Sequence, residues 1–272
     1  MIINEVECKS LITKSKLPDA DYVINPYIGC NHGCVYCYAQ FMTRFSGHSG
    51  EVWGSFIDVK RNGKIKGTFD DKTILIGSVT DPYNPYEKKY TNTRNILQNL
   101  VELNSKANIE ILTKSPLVLR DIDLLKQLSD IKVGISLSTC DKNFANLTEP
   151  YAASPDQRIN TIHELKKSNI PVYLFISPIF PYLSDWKNVV AATDGSVDKV
   201  CFENLNLRAN YRTTVLQIIR EHHSNVYPQF VELYSDKYAN KKYWENMSAE
   251  IHDYMKGKNY KIYFYHKDIK KK

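Results

Sequence analysis

Cys30, Cys34 and Cys37 lie in the stretch Gly29-Cys30-Asn31-His32-Gly33-Cys34-Val35-Tyr36-Cys37-Tyr38, which holds three of the chain's six cysteines. With three and then two residues between them, three thiolates can converge on one centre, and Gly29 and Gly33 permit the tight backbone turns this requires. Three ligands from one short loop, with no fourth cysteine nearby, leave one coordination position for a group other than protein. The same loop also offers a structural zinc site, with His32 or His48 as fourth ligand, although His48 reads better as a hydrogen-bonder. Cys8, Cys140 and Cys201 are scattered singly, so the cysteines form no disulfide framework and a reducing compartment is expected.

The chain of 272 residues, 43% hydrophobic, has the composition of a globular protein that buries a core. No run approaches the roughly eighteen apolar residues of a membrane span. Met1-Ile2-Ile3-Asn4-Glu5 lacks the order of a signal peptide, so no membrane partner and a cytoplasmic location are expected. Lys270, Lys271 and Lys272 supply half of the net charge of +6, which makes the basic balance a weak pointer to nucleic acid. The 19 tyrosines are mostly half-buried packing residues on this reading, with some available to a cleft or to base stacking.

Residues 1–21 read as a lead-in without a sustained period. Asp21 to Asn25 follows as a short strand, stopped by Pro26, that delivers the chain into the cysteine loop. A helix is predicted from Val35 to Phe45, then a glycine-rich excursion from Gly47 to Gly67 closed by a small hairpin at Arg61-Asn62-Gly63. Beyond it strands alternate with helices. The strands are Thr73 to Val79, Ile109 to Thr113, Lys132 to Ser138, Pro171 to Ser177 and Lys199 to Glu203; the helices are Glu87 to Ser105, Asp121 to Ser129, Ser154 to Ser168, Leu183 to Thr193 and Ala209 to His223. Such alternation demands right-handed crossovers and a parallel sheet. Six strands predict an α/β fold, a partial (β/α)6 TIM-like barrel over residues 22–226, with the cysteine loop at the C-terminal end of its first strand. Residues 227–272, with a helix from Lys241 to Lys256 and a strand from Tyr260 to Tyr265, form an appendage near the open side.

Cys30-x3-Cys34-x2-Cys37, with an aromatic residue before the third cysteine, resembles the signature of the radical S-adenosylmethionine (SAM) superfamily, most closely its spore photoproduct lyase-like branch. Further blocks carry the resemblance from about Asn25 to Phe202. They are Asn25-Pro26-Tyr27-Ile28-Gly29, Cys37-Tyr38-Ala39, Thr80-Asp81-Pro82-Tyr83, Leu112-Thr113-Lys114, Ile135-Ser136-Leu137-Ser138, Glu149-Pro150, Arg158 and Ser177-Pro178-Ile179. Most fall at the C-terminal ends of predicted strands.

The resemblance implies a site-open [4Fe-4S] cluster chelating SAM, fed by a flavodoxin- or ferredoxin-type reductant. It implies that a 5'-deoxyadenosyl radical takes hydrogen from a substrate, either a nucleic acid or nucleotide or a small molecule. It places Tyr36 and Tyr38 beside the adenosyl moiety, Ser136 on the ribose or amino-acid part, and Lys114 and Arg158 on the carboxylate, for which a buried anion wants cations. Ser78, Thr80 and Ser138 join this cofactor-binding set, and Asp81 reads equally as a ligand for the SAM ammonium or as a turn cap before Pro82. In the photoproduct lyases a cysteine thought to return hydrogen stands where Ser78 does here, and a serine O–H is too strong a bond for that step. Cys140 or a redox tyrosine, Tyr83 or Tyr86, is the alternative donor. Glu203 and Asn204 are second-rank residues of the mouth. An electron-transfer or redox-sensing iron-sulfur protein, its cluster completed by Cys140 or another endogenous ligand, is the rival reading.

Overall fold

The structure, a computed structural model, describes residues 1–208 and 211–264. Its strands are β1 (Ile2–Glu7), β2 (Ile12–Lys14), β3 (Tyr22–Ile24), β4 (Tyr27–Ile28), β5 (Phe56–Arg61), β6 (Thr73–Ile76), β7 (Asn108–Thr113), β8 (Asp130–Ser136), β9 (Val172–Ile179), β10 (Lys199–Asn204) and β11 (Tyr260–Tyr263). Its helices are α1 (Glu87–Tyr90), α2 (Asn92–Leu103), α3 (Ile122–Leu125), α4 (Lys142–Thr148), α5 (Pro155–Lys167), α6 (Trp186–Ala192), α7 (Tyr211–His222), α8 (Tyr227–Ser235) and α9 (Lys237–Tyr254).

The six predicted strands β3, β6, β7, β8, β9 and β10 lie side by side in chain order and pair in parallel. Alternate residues explain why they bury both faces. Ile74, Ile76, Ile109, Ile111, Val133, Ile135, Leu174, Ile176, Val200 and Phe202 are buried in the main hydrophobic core, each worth about 1.5–3 kcal/mol of burial. The opposite face carries Glu110, Ser136, Tyr173, Ser177, Cys201 and Glu203. Gly134 belongs to this second face because a Cβ there would stand 2.1 Å from the Tyr173 ring.

Two strands extend this sheet: the strand predicted from Tyr260 is β11, which adds in parallel to β10, and β2, which was not predicted, adds antiparallel to β3. No strand pair among the described residues joins β2 to β11, so the barrel is open. Side chains reach between these two margins instead. Asp19, in the turn between β2 and β3, takes Lys261 Nζ at 2.6 Å and the Tyr263 hydroxyl at 2.5 Å, both from β11.

The glycine-rich excursion is not closed by a hairpin. It contains β5, which pairs in parallel with β1 and antiparallel with β4 to make a separate three-stranded sheet, and Asn62 turns with φ 57°. The helix predicted from Val35 is a 3-10 helix, Tyr38–Phe45, because the Val35 and Cys37 amides are spent on Thr148 and Cys34 carbonyls. Thr91, at φ 52°, splits the helix predicted from Glu87 into α1 and α2. Asp121 does not cap its helix, since its carboxylate takes Arg94 and Arg120 instead. Ser154 and Gln157 make a full capping box at α5. Helix α9 starts earlier than predicted, at an Asp236 cap, and α8 is additional. Ala209, Tyr265 and the lysine tail lie outside the described residues. No described helix is long and apolar enough to cross a membrane.

Candidate functional site

The cysteine loop is laced down from three sides. From the end of β6, Thr80 donates its hydroxyl to the Gly29 carbonyl at 2.5 Å, Asn25 accepts from the Val79 amide at 3.0 Å, and the Tyr38 hydroxyl donates to the Ser78 carbonyl. Ser78 Oγ accepts from Asn25 Nδ2 at 3.0 Å, so this side chain serves the approach to the loop. From the α4–α5 connection, the Val35 amide reaches Thr148 O and the Tyr151 amide reaches His32 O. From the small sheet, Phe56 closes over Gly29, where φ is +94° and a Cβ would stand 2.4 Å from the Phe56 carbonyl oxygen.

Phe56 is in turn stacked under His48 with ring centroids 3.7 Å apart, and His48 hydrogen-bonds Asp58 at 2.8 Å and Glu51 at 3.0 Å. His48 is thus a hydrogen-bonder, as its sequence context suggested. Burial disfavours its charged form, but the hydrogen bonds and charges of Asp58 and Glu51 outweigh burial and raise its pKa. A raised histidine pKa stabilises the fold fully below the unfolded value of about 6.5, and the contribution fades as pH rises through the folded pKa. The urea midpoint is therefore expected to fall as pH rises from about 6 toward the upper end of that window, with a shallower fall in His48→Gln; parallel profiles for the two proteins would contradict this.

All three loop cysteines are free and half-buried. Burial pushes each thiol up to about 12, and the charge of another loop cysteine adds to the rise in every case. Thiols this hard to ionise, whose thiolate forms would repel one another, want a cationic centre to ionise them. No three His, Cys, Asp or Glu side chains among the described residues close around a single ion, whereas a multi-iron cluster gives each thiolate an iron of its own. The donor set therefore fits an iron-sulfur cluster. His32, buried beside Asp81 at 3.4 Å, has its pKa held below the ordinary histidine value by burial.

Beside the thiols stands a buried polar cage centred on Glu149. Its carboxylate takes the Tyr36 hydroxyl, lies 2.5 Å from Arg158 Nη2, and lies 3.8 Å from Lys114 Nζ. Lys114 also donates to Ser136 Oγ at 2.9 Å, and Arg158 to the Ser136 carbonyl at 3.1 Å. Burial alone would raise the Glu149 pKa, but Arg158 and then Lys114 hold it below the usual carboxylate range. Glu149 was visible in the sequence only as part of the Glu149-Pro150 block. Ser138, 1% exposed, has a hydroxyl with no hydrogen-bond partner among the described residues, the kind of orphan a bound ligand would satisfy.

Tyr36, Lys114, Ser136 and Arg158 thus meet one another. Asp81 is engaged within the protein, accepting from the Tyr83 amide, Thr113 Oγ1 and the Lys114 amide at 2.7–2.8 Å. Tyr38 is 54% exposed and stacks on Phe41. Tyr83 is fully buried against Asp121 and Glu87, away from the cage, and burial raises its pKa well above the ordinary tyrosine value. Cys140 receives its surroundings from Asp185 and Asp156, neither of them a member of the cage, and burial pushes its thiol up to about 11. Glu203 reaches the Ser177 hydroxyl on the inner sheet face, and burial raises its pKa.

Residues 24–191 match the family model of the Radical SAM superfamily. An uncharacterised protein of Methanocaldococcus jannaschii is 38% identical over 251 residues, which cover 92% of this chain and 93% of that one. A radical SAM Nalpha-GlyT isomerase of Pseudomonas phage M6 is 29% identical over 161 residues, 57% of this chain and 32% of its own. Spore photoproduct lyase complexed with dinucleoside spore photoproduct shares the fold at a TM-score of 0.67, with 15% identity, over 97% of this chain and 82% of that one. Streptococcus suis SuiB bound to SAM does so at 0.51, with 16% identity, over 89% and 49%. The open sheet is accordingly a partial (β/α)6 TIM-like barrel, and the chain belongs to the radical SAM superfamily, as an enzyme whose cofactors are a [4Fe-4S] cluster and SAM.

Proposed function

We propose that this enzyme cleaves SAM reductively and abstracts hydrogen from a substrate that is a nucleotide, a nucleic acid or a small polar molecule. The observation that carries the reading is the meeting of three half-buried free thiols from one loop with the Lys114, Ser136, Glu149 and Arg158 cage at the C-terminal mouth of the barrel. When bound, the cluster and SAM supply a one-electron cleavage of a carbon-sulfur bond and a primary carbon radical. The protein's part is to hold the three thiolates, to present cations to the SAM carboxylate, and to keep the site dry. Val35 and Tyr36 pack with Phe180 and residues of α7 and α8, which supports a desolvated mouth.

Cys140 and Cys201 lie outside the group of interacting thiols, which favours an open cluster corner over a fully protein-ligated carrier. For the substrate, the inner face offers Ser177 and Glu203, a carboxyl suited to N–H or cationic groups rather than to phosphate. A flavodoxin- or ferredoxin-type protein supplies the electron. Anaerobically reconstituted protein given SAM and dithionite is expected to release 5'-deoxyadenosine, measured by liquid chromatography. A protein that carries about four irons per chain yet leaves SAM intact with every reductant would sink the proposal.

A further inference from the structure

The 3-10 helix Tyr38–Phe45, which starts at the residue after Cys37, turns aromatic rings toward solvent. Side chains three apart eclipse one another on such a helix, so Tyr38, Phe41 and Arg44 share one face. Tyr38 and Phe41 stack with centroids 6.3 Å apart, and Phe45 meets Phe41 edge-on at 6.3 Å. Neither phenylalanine belongs to a hydrophobic cluster among the described residues, although Ala39 on the same helix is buried. With Tyr38 54%, Phe41 46% and Phe45 76% exposed, the three rings leave about 350 Å² in contact with water. An apolar patch of that size on a monomer marks an interaction site more often than a scattered surface residue does.

The charge around this face has one sign. Between Tyr38 and Ser55 the sequence holds a single acidic residue, Glu51, and His48 engages it at 3.0 Å. Arg44 is exposed and has no ion-pair partner among the described residues. An acidic partner is therefore favoured, in keeping with the net charge of +6. Stable pairing of two copies would bury about 1,200–2,000 Å², more than this face supplies, whereas electron-transfer encounters bury less. The face is also close to the thiols in the chain: at a rise of about 2.0 Å per residue, Phe41 stands about 8 Å along the helix axis from Cys37.

We infer that Phe41, Arg44 and Phe45 form the docking face for a small acidic flavodoxin-type protein that delivers one electron to the cysteine loop. This role deepens the proposed function and rests on it for the cluster that accepts the electron. An isoalloxazine ring presents an apolar dimethylbenzene edge, which suits offset or edge-on contact with Phe41 and Phe45, and an acidic rim around it suits Arg44. The partner's reduced flavin is oxidised by one electron and the iron-sulfur centre held by the loop is reduced by one; no group passes between the two proteins.

The test uses the full chain in two states. With the metal-free protein, binding of a purified, oxidised flavodoxin is measured by titration calorimetry at low salt. Phe41→Ala/Phe45→Ala is expected to melt like the wild type, because both side chains are solvent-facing, and to bind the flavodoxin about tenfold more weakly or worse. Arg44→Glu is expected to bind more weakly as well, by a margin that shrinks as salt is raised. With the anaerobically reconstituted protein, both variants are expected to release 5'-deoxyadenosine at the wild-type rate with dithionite, and about tenfold more slowly with the photoreduced flavodoxin below saturation. A wild type that binds no flavodoxin would overturn the assignment, as would variants that lose equally with both reductants, or that lose with a ferredoxin and not with the flavodoxin. If the wild type leaves SAM intact with dithionite, the proposed function falls, while flavodoxin binding by the metal-free chain still decides whether this face docks it.

Discussion

Cys34→Ala is expected to release 5'-deoxyadenosine more than about a hundredfold more slowly than the wild type, a loss that even changes outside the ligand shell of a metal site approach. The reason lies in how little redundancy the site has. On the proposed assignment three thiols from one loop hold three corners, and neither Cys140 nor Cys201 stands among the groups that act on them. Cys34 is also the loop cysteine on which both Lys114 and Arg158 act. Iron and sulfide content should fall with the activity. Cys140→Ala should retain the iron, since its environment is built by Asp185 and Asp156. Cleavage of SAM at the wild-type rate by Cys34→Ala, or loss of the iron from Cys140→Ala, would mean that the cluster ligands are assigned wrongly.

The parts of this fold that periodicity could reach were those whose neighbours are local or whose pattern is repeated. The six parallel strands follow from apolar runs such as Thr73 to Val79, and α5 follows from its Ser154-Pro155 start. β2 was beyond reach because it is only three residues long and is held by its pairing with β3 rather than by a pattern of its own. β11 was legible as a strand from Tyr260, but its place beside β10 was not, since that rests on pairing with a segment far earlier in the chain. The 3-10 helix after Cys37 had a similar cause, because the Val35 amide goes to the far Thr148 carbonyl and the Cys37 amide closes a tight turn on Cys34. At the site, spacing alone located the thiols. It could not show Glu149, whose meaning depends on Tyr36, Lys114 and Arg158 arriving from separate segments of the chain.

The same long-range logic gives the largest stability effect expected, at Glu87. This side chain is fully buried and accepts from the Tyr27 hydroxyl, the Thr93 amide at 2.9 Å, the Arg94 amide at 3.2 Å and Arg120 Nη2 at 2.7 Å. It thereby ties the small sheet, through Tyr27 on β4, to α1, α2 and the 3-10 helix Pro116–Asp121. Glu87→Gln keeps the volume but turns an amide NH2 toward donors and leaves Arg120 with Asp121 as its remaining buried carboxylate, which it shares with Arg94. The cost expected is about 3 kcal/mol, at the lower end of what breaking a buried ion pair takes because Arg120 is partly solvated. That corresponds to a melting temperature lower by roughly 6–12 °C. Tyr27→Phe, which removes one donor and leaves the charges paired, is expected to cost about 1 kcal/mol. Because Tyr27 and Ile28 lead directly into Gly29 and Cys30, Glu87→Gln should also weaken retention of the cluster during handling, beyond what Tyr27→Phe does. If Glu87→Gln melts within a degree or two of the wild type, the network carries no net stability, and the attachment of the small sheet has to rest on the apolar contacts of Tyr27, Ile57 and Val59.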